Sequence, residues 1–258
     1  MEIIFILFLI IIGLFAGFMS GLLGVGGGFI FAPAMFFVLQ ASGVPEDAAL
    51  LTAFGTSLAA ALPTVLTGAL SHTKQGNVVW RDALIMGIAG ILTGFIGGNV
   101  ATLLPVKLLT FLFALILIVG AIRLVTQLPC GEKSRMKAPL DVGIGSAAGF
   151  FSGLLGVGGG TILVPLMTMI GKFPMKKAVA TSSAAIVFIT LGGIGSYLLN
   201  GYFNLLMWVI LVLTAVPVAA VSARLRVSDV WLRRFFAVLM IGISLHMMGV
   251  FELIFSLL

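Results

Sequence analysis

Twenty residues of this chain occur twice. Ala16 to Met35 read AGFMSGLLGVGGGFIFAPAM and Ala148 to Met167 read AGFFSGLLGVGGGTILVPLM, identical at 15 of 20 positions with a constant separation of 132. In each copy an apolar, helix-like run meets GLLGVGGG, which is too rich in glycine to stay helical cheaply. An apolar run containing one proline then resumes. The chain is a duplicated unit, and each unit is expected to carry a discontinuous helix, with the two breaks brought together. A second correspondence, at a separation of 125, extends the duplication past the motif. Thr56-Ser57, Gly68, Ser71 and Gly76 match Thr181-Ser182, Gly193, Ser196 and Gly201.

The medium follows from composition. The chain of 258 residues is 61% hydrophobic and 9% charged, with a mean hydropathy of +1.28. Soluble domains carry about 25% charged residues. Apolar stretches approaching the roughly 20 residues of a spanning helix recur from end to end, so the chain reads as an integral, multi-pass membrane protein of the cell (inner) membrane. The net charge of +6 sits in short loops between apolar segments, where it sets orientation, and points to no nucleic-acid partner. Met1 to Ala16 reads as the first membrane helix and not as a cleaved leader, because Glu2 stands where a leader carries Lys or Arg. The single Cys130 excludes an intrachain disulfide and leaves no ligand cluster for a metal, so no cofactor is expected.

The apolar blocks fall at about 3–20, 29–40, 48–71, 83–103 and 106–127, then at about 140–152, 161–171, 178–199, 203–222 and 231–256. Between the halves, Gln127 to Pro139 holds Cys130, Glu132, Lys133, Arg135 and Lys137. The expected organisation is a first transmembrane repeat at 1–128, a cytoplasmic linker at 129–139 and a second, inverted repeat at 140–258. The predicted fold class is an all-α polytopic membrane protein of two inverted five-segment repeats, each opening with a glycine-broken helical hairpin.

Inversion follows from loop charges, because equivalent loops differ in sign. Glu46 and Asp47 correspond to Lys172, Lys176 and Lys177; Lys74 and Arg81 to the uncharged loop at Asn200 and Gly201; Lys107 to Arg224, Arg226, Arg233 and Arg234. With basic loops cytoplasmic, 140–172 starts and ends on the cytoplasmic side and 1–41 on the outer side, so both termini lie outside. Each repeat is then a hairpin plus three single crossings, an odd total of five. The 18 residues from Ile3 to Ser20 make a helix of about 27 Å and Phe29 to Gln40 one of about 18 Å. With Leu22 to Gly28 extended, the break comes back toward mid-bilayer.

A helix start leaves four N–H groups unpaired and carries about half a positive charge, which makes it an anion site. Irregular backbone at membrane depth must be buried in protein or line a cavity. Gly26, Gly27 and Gly28, with Gly158, Gly159, Gly160 and Thr161, are therefore the candidate substrate-binding backbone, supplemented by the hydroxyls of Thr56, Ser57, Thr181 and Ser182. Arg224 is a candidate vestibule residue drawing anions from the cytoplasm. Competing readings exist for each. Gly17-Gly21 and Gly149-Gly153 fit close helix packing, and the Thr-Ser pairs fit helix-to-helix hydrogen bonding equally well. A packing face alone has no use for three consecutive glycines, and a nucleotide loop would need GxGxxG or Gly-Lys-Ser/Thr in a βαβ unit. His72 and His246 read as structural. No carboxylate falls clearly inside a membrane segment, which argues against a proton relay through Asp or Glu.

The doubled GLLGVGGG with its Ile-x-x-Pro continuation, joined to Gly55-Thr56-Ser57-Leu58 and Ala180-Thr181-Ser182, resembles the TauE/SafE family of sulfite exporters and organosulfur permeases over the full chain. Phe29 stands where the second repeat has Thr161. The resemblance implies transport of sulfite, sulfoacetate or another organic sulfonate, outward in some members and inward in others.

The residues and the resemblance together give a transporter, not an enzyme, that moves a small sulfur oxyanion through the lipid bilayer by alternating access around the breaks. Export is favoured, since a monoanion leaving a negative interior gains about 2.3 kcal/mol per 100 mV. An anion channel and an uptake permease are the alternatives. Cys130, His72 and His246 are too scattered for an enzyme site. A homo-oligomer is compatible with the sequence.

Overall fold

A computed structural model of the chain describes residues 2–23, 26–126, 136–222 and 229–247. Among them ten α-helices and no strand occur. The first five are α1 (Glu2–Leu23), α2 (Gly28–Ala41), α3 (Glu46–Lys74), α4 (Trp80–Ala101) and α5 (Val106–Thr126). The second five are α6 (Ala138–Leu155), α7 (Gly160–Met169), α8 (Met175–Leu199), α9 (Leu205–Ser222) and α10 (Asp229–Met247). Among the described residues six helices, α1, α3, α4, α6, α8 and α9, are long and apolar enough to cross a membrane, whereas α2 and α7 have only 14 and 10 residues.

Several helices are inside-out relative to a soluble protein. On α4, Leu84, Ile88, Leu92 and Ile96 recur every four residues and face outward, Ile88 and Leu92 being 61% and 66% exposed. The opposite face buries Gly87, Gly90, Gly94, Gly97 and Gly98. Lipid is the solvent that tolerates such a stripe, and without a hydrophobic drive between helices the small face is what brings backbones into van der Waals contact.

That contact sets the architecture. A Cβ on Gly145 or Gly149 of α6 would lie 2.5 Å from the Cα of Met86 or Gly90 in α4, and one on Gly153 would lie 2.9 Å from the Cα of Gly94. The register rises in both helices together, so α4 and α6 run parallel. In α1, Gly17 and Gly21 meet Ala215 and Ala219 of α9 in the same rising order. Each half therefore lends its opening helix to a helix of the other half. Of the six membrane-length helices the most enclosed are α3 and α8. They run antiparallel to each other, Gly55 meeting Tyr197 while Leu58 meets Gly193. Asn200 Nδ2 donates to Asn99 Oδ1 at 3.1 Å, which puts the ends of α4 and α8, and hence the start of α9, at one end of the bundle. It follows that α1 starts at that end and α6 at the opposite one.

The path through the glycines differs from expectation. Leu22 and Leu23, expected in an extended stretch, belong to α1, α2 starts at Gly28, and in the second half only residues 156–159 separate α6 from α7. No strong breaker precedes the glycine cluster, so the leucines extend the helix, and left-handed glycines at Gly156, Gly158 and Gly159 (φ +66°, +81° and +75°) reverse the chain within one turn.

The expected lack of buried membrane carboxylates is also corrected. The starts of α4 and α6 lie upstream of the purely apolar blocks, and their first turns contain Asp82 and Asp141, both fully buried.

Candidate functional site at the paired glycine breaks

Both short helices start at a left-handed glycine that no side chain caps. Gly27 (φ +67°) precedes α2 and Gly159 (φ +75°) precedes α7. The Gly27 carbonyl accepts from the N–H groups of Ile30 and Phe31 at 2.9 and 3.0 Å. The Gly159 carbonyl accepts from Ile162 and Leu163 at 3.1 and 2.8 Å. A Ser, Thr, Asp or Asn at these caps would cover an N–H of the first turn with its own oxygen; glycine supplies none.

The two breaks touch. A Cβ on Gly28 would lie 2.6 Å from the carbonyl oxygen of Val157 and 3.3 Å from that of Gly156. Cβ atoms built on Gly26 (φ +90°) and Gly158 would lie 4.0 and 3.6 Å from Ala61, midway along α3. Each break is pinned by a hydroxyl from α3. Thr64 Oγ1 lies 2.7 Å from the Ala61 carbonyl and 3.3 Å from that of Gly26. Ser57 Oγ lies 2.6 Å from the Gly156 carbonyl and 2.8 Å from that of Phe54.

The other paired hydroxyls act at a distance from the glycines. Thr56 Oγ1 accepts from the Asn204 N–H at the start of α9, and Thr181 Oγ1 from the Val79 N–H at the start of α4, each at 3.0 Å. They cap helices of the opposite half in corresponding places. Ser182 Oγ donates to the Val179 carbonyl at 3.0 Å within α8. All four Thr and Ser residues are buried.

Three buried hydroxyls near the breaks have no partner: Ser20, Ser152 and Thr161. A Cβ on Gly159 would lie 3.6 Å from Ser152 Oγ. Thr161 sits in the first turn of α7, beside the N–H groups of Gly160 and its own backbone. An unpaired buried hydroxyl costs about 1–3 kcal/mol. Ser20 and Ser152 were missed in the sequence, although they occupy the same position of the two 20-residue copies and each is a polar residue on an apolar helix one turn before the glycines. Phe29, at the place of Thr161, is buried with no hydroxyl to offer.

None of the described lysine and arginine side chains is buried, so the buried breaks are served by N–H and O–H groups. Among the described residues no group of three or more His, Cys, Asp or Glu side chains is placed to hold a metal. Arg224, Arg226 and Cys130 lie outside the described residues. His246 packs its ring against Phe37 at 4.8 Å.

The glycine residues at 17, 21, 149 and 153 serve the close helix contacts described above, which is the packing reading of those four positions. A family model described as "Sulfite exporter TauE/SafE" matches residues 9–247. The chain belongs to the TauE/SafE family. It is 32% identical over 221 residues to a protein of Methanocaldococcus jannaschii named "probable membrane transporter protein", covering 83% of this chain and 80% of that one. A Bacillus subtilis protein of the same description is 28% identical over 95% of this chain and 98% of its own length. A third, from Haemophilus influenzae, is 32% identical over 79% of this chain and 77% of its own. No solved structure matches the chain. This TauE/SafE member is thus a multi-pass membrane protein of a transporter family, and such a family implies a small-molecule substrate and a lipid surround.

Proposed function

We propose that the protein exports a small sulfur oxyanion, sulfite or an organic sulfonate, held at the two touching glycine breaks. The observation that carries this reading is the coincidence of two uncapped helix starts with three partnerless buried hydroxyls, Ser20, Ser152 and Thr161. An oxyanion accepts from N–H and O–H groups alone and would satisfy both sets. Gly26, Gly27, Gly28, Gly158, Gly159, Gly160 and Thr161 would line the anion. Thr56, Ser57, Thr181 and Ser182 would hold the frame around it, and Arg224 would stand in the cytoplasmic vestibule.

The repeats would be inverted in the membrane and interleaved. Support comes from α1 and α6 starting at opposite ends of the bundle and from the exchange of α1 and α6 between halves. Basic residues Lys74, Arg81, Lys137, Lys172 and Lys176 gather at the end where α4 and α6 start, which supports a cytoplasmic placement of that end. Rocking of one half against the other around the breaks would give alternating access.

Flux into proteoliposomes with sulfite, sulfate, sulfoacetate and thiosulfate tests the reading. Saturable flux of sulfite or sulfoacetate with counterflow is expected. Flux that does not saturate would make the protein a channel, and absence of flux for every sulfur anion would overturn the substrate class.

A further inference from the structure

The α4–α6 contact repeats every four residues, at Met86 with Gly145, Gly90 with Gly149 and Gly94 with Gly153. One turn earlier the same register pairs Asp82 with Asp141, both 0% exposed. The corresponding contact of α1 with α9 places Leu9 and Met207 on that rung, 3% and 8% exposed. The rung therefore packs perfectly well with two apolar side chains, and the acids need another reason.

Asp82 has partners. Its Oδ2 accepts from the Met136 N–H at 3.1 Å, and Arg81 Nη1 lies 3.5 Å from Oδ1 and 3.3 Å from the Met136 carbonyl. Asp141 has none for either oxygen. Among the described residues the remaining charged groups at this end are Lys74 in the last turn of α3, Lys137 of the α6 start, Lys172 after α7, and Lys176 and Lys177 of α8; of these Lys177 is half-buried and the others are exposed. His72, in the last turn of α3, is the other titratable side chain there.

We propose that Asp82 and Asp141 share one proton, and that anion flux senses pH through this pair. Two adjacent buried carboxyl groups cannot both ionise without a large penalty. An ionised, partnerless Asp141 would carry the full cost of a buried charge. Protonated, Asp141 carries no charge, while that of Asp82 stays matched by the Met136 N–H and Arg81. Proton binding and release here would bear on the tightest contact between the two halves, where α6 of one lies on α4 of the other.

Infrared difference spectra of the purified, lipid-reconstituted protein between about pH 5 and 8 test the proton site directly and need no substrate, so they stand apart from the transporter reading. A carbonyl band of a protonated carboxyl group that titrates in this range, and is lost in Asp141→Asn and in the double variant Asp82→Met, Asp141→Leu, is expected. The double variant restores the apolar rung of the α1–α9 contact, which guards against a folding failure. No titrating band, or one that persists in both variants, overturns the site. For coupling, sulfite flux is measured over the same range; because sulfite gains a proton itself, the quantity read is the ratio of Asp141→Asn to wild-type flux. That ratio should change several-fold with pH. A constant ratio, or pH sensing abolished by His72→Asn and kept by Asp141→Asn, overturns the coupling.

Discussion

Ser57 Oγ lies 2.6 Å from the carbonyl oxygen of Gly156, 99 positions along the chain. This bond fastens the middle of α3 to the break that opens α7. The left-handed Gly156 sits so close to α3 that a Cβ there would lie 2.5 Å from the Cα of Phe54. Ser57→Ala leaves the Gly156 carbonyl without its cross-link donor, at a cost of about 1–3 kcal/mol. Thermal unfolding in detergent should show a lower midpoint together with reduced anion flux. Unchanged unfolding would mean that the bond does not hold the break.

Gly17 lies on α9, where a Cβ would be 2.6 Å from the Cα of Ala215. The neighbour is backbone and cannot rotate away, so Gly17→Ala should push α1 off α9 and destabilise by about 1–3 kcal/mol. Lower yield and a lower unfolding midpoint are expected, with the anion affinity of the folded fraction unchanged. Loss of affinity at full stability would place Gly17 in the site.

Ser20 and Ser152 separate a binding role from a structural one. Neither hydroxyl has a partner in the fold, so Ser152→Ala and Ser20→Ala break no internal bond and should leave thermal stability at or above wild type. Sulfite affinity, by isothermal titration, should fall several-fold in each. Unchanged affinity with lowered stability would reverse the roles.

The apolar blocks made the ten helices legible, each helix starting within three residues of its block, and the duplicated glycine motif made the two breaks legible. It did not show which helices meet. Gly17 and Gly149 announce a close approach, but four-residue spacing of small residues carries no address, and only the fold pairs α1 with α9 and α6 with α4. Asp82 and Asp141 looked peripheral because each opens an apolar block; a 3.6-residue pitch and a neighbouring helix starting at the same end turn both inward. Thr56 and Thr181 were visible as a pair, yet hydroxyls on apolar helices serve a substrate and a neighbouring backbone equally well in sequence. Here they cap α9 and α4.

Orientation has its own test at Cys130, which lies in the 129–139 linker outside the described residues. With the basic ends cytoplasmic, a membrane-impermeant maleimide should label Cys130 in inside-out vesicles and spare it in intact cells, while tags on both termini are reached from outside. Labelling of Cys130 in intact cells would contradict the inverted arrangement.

The claim on which everything else rests is that backbone N–H groups at the paired breaks hold the anion. Sulfite binding to purified wild-type protein, Gly27→Ala and Gly159→Ala, by isothermal titration, tests it most directly. Around Gly159 a Cβ would meet nothing closer than 3.5 Å, and at Gly27 nothing closer than 3.1 Å, so the damage comes chiefly from the left-handed conformation. An L-residue there costs about 1–2 kcal/mol locally, far too little to unfold a ten-helix bundle but enough to turn the first N–H groups away. The expected result is that both variants insert and purify normally and lose sulfite binding. Wild-type affinity in both variants would contradict the claim and move the site away from the glycine breaks.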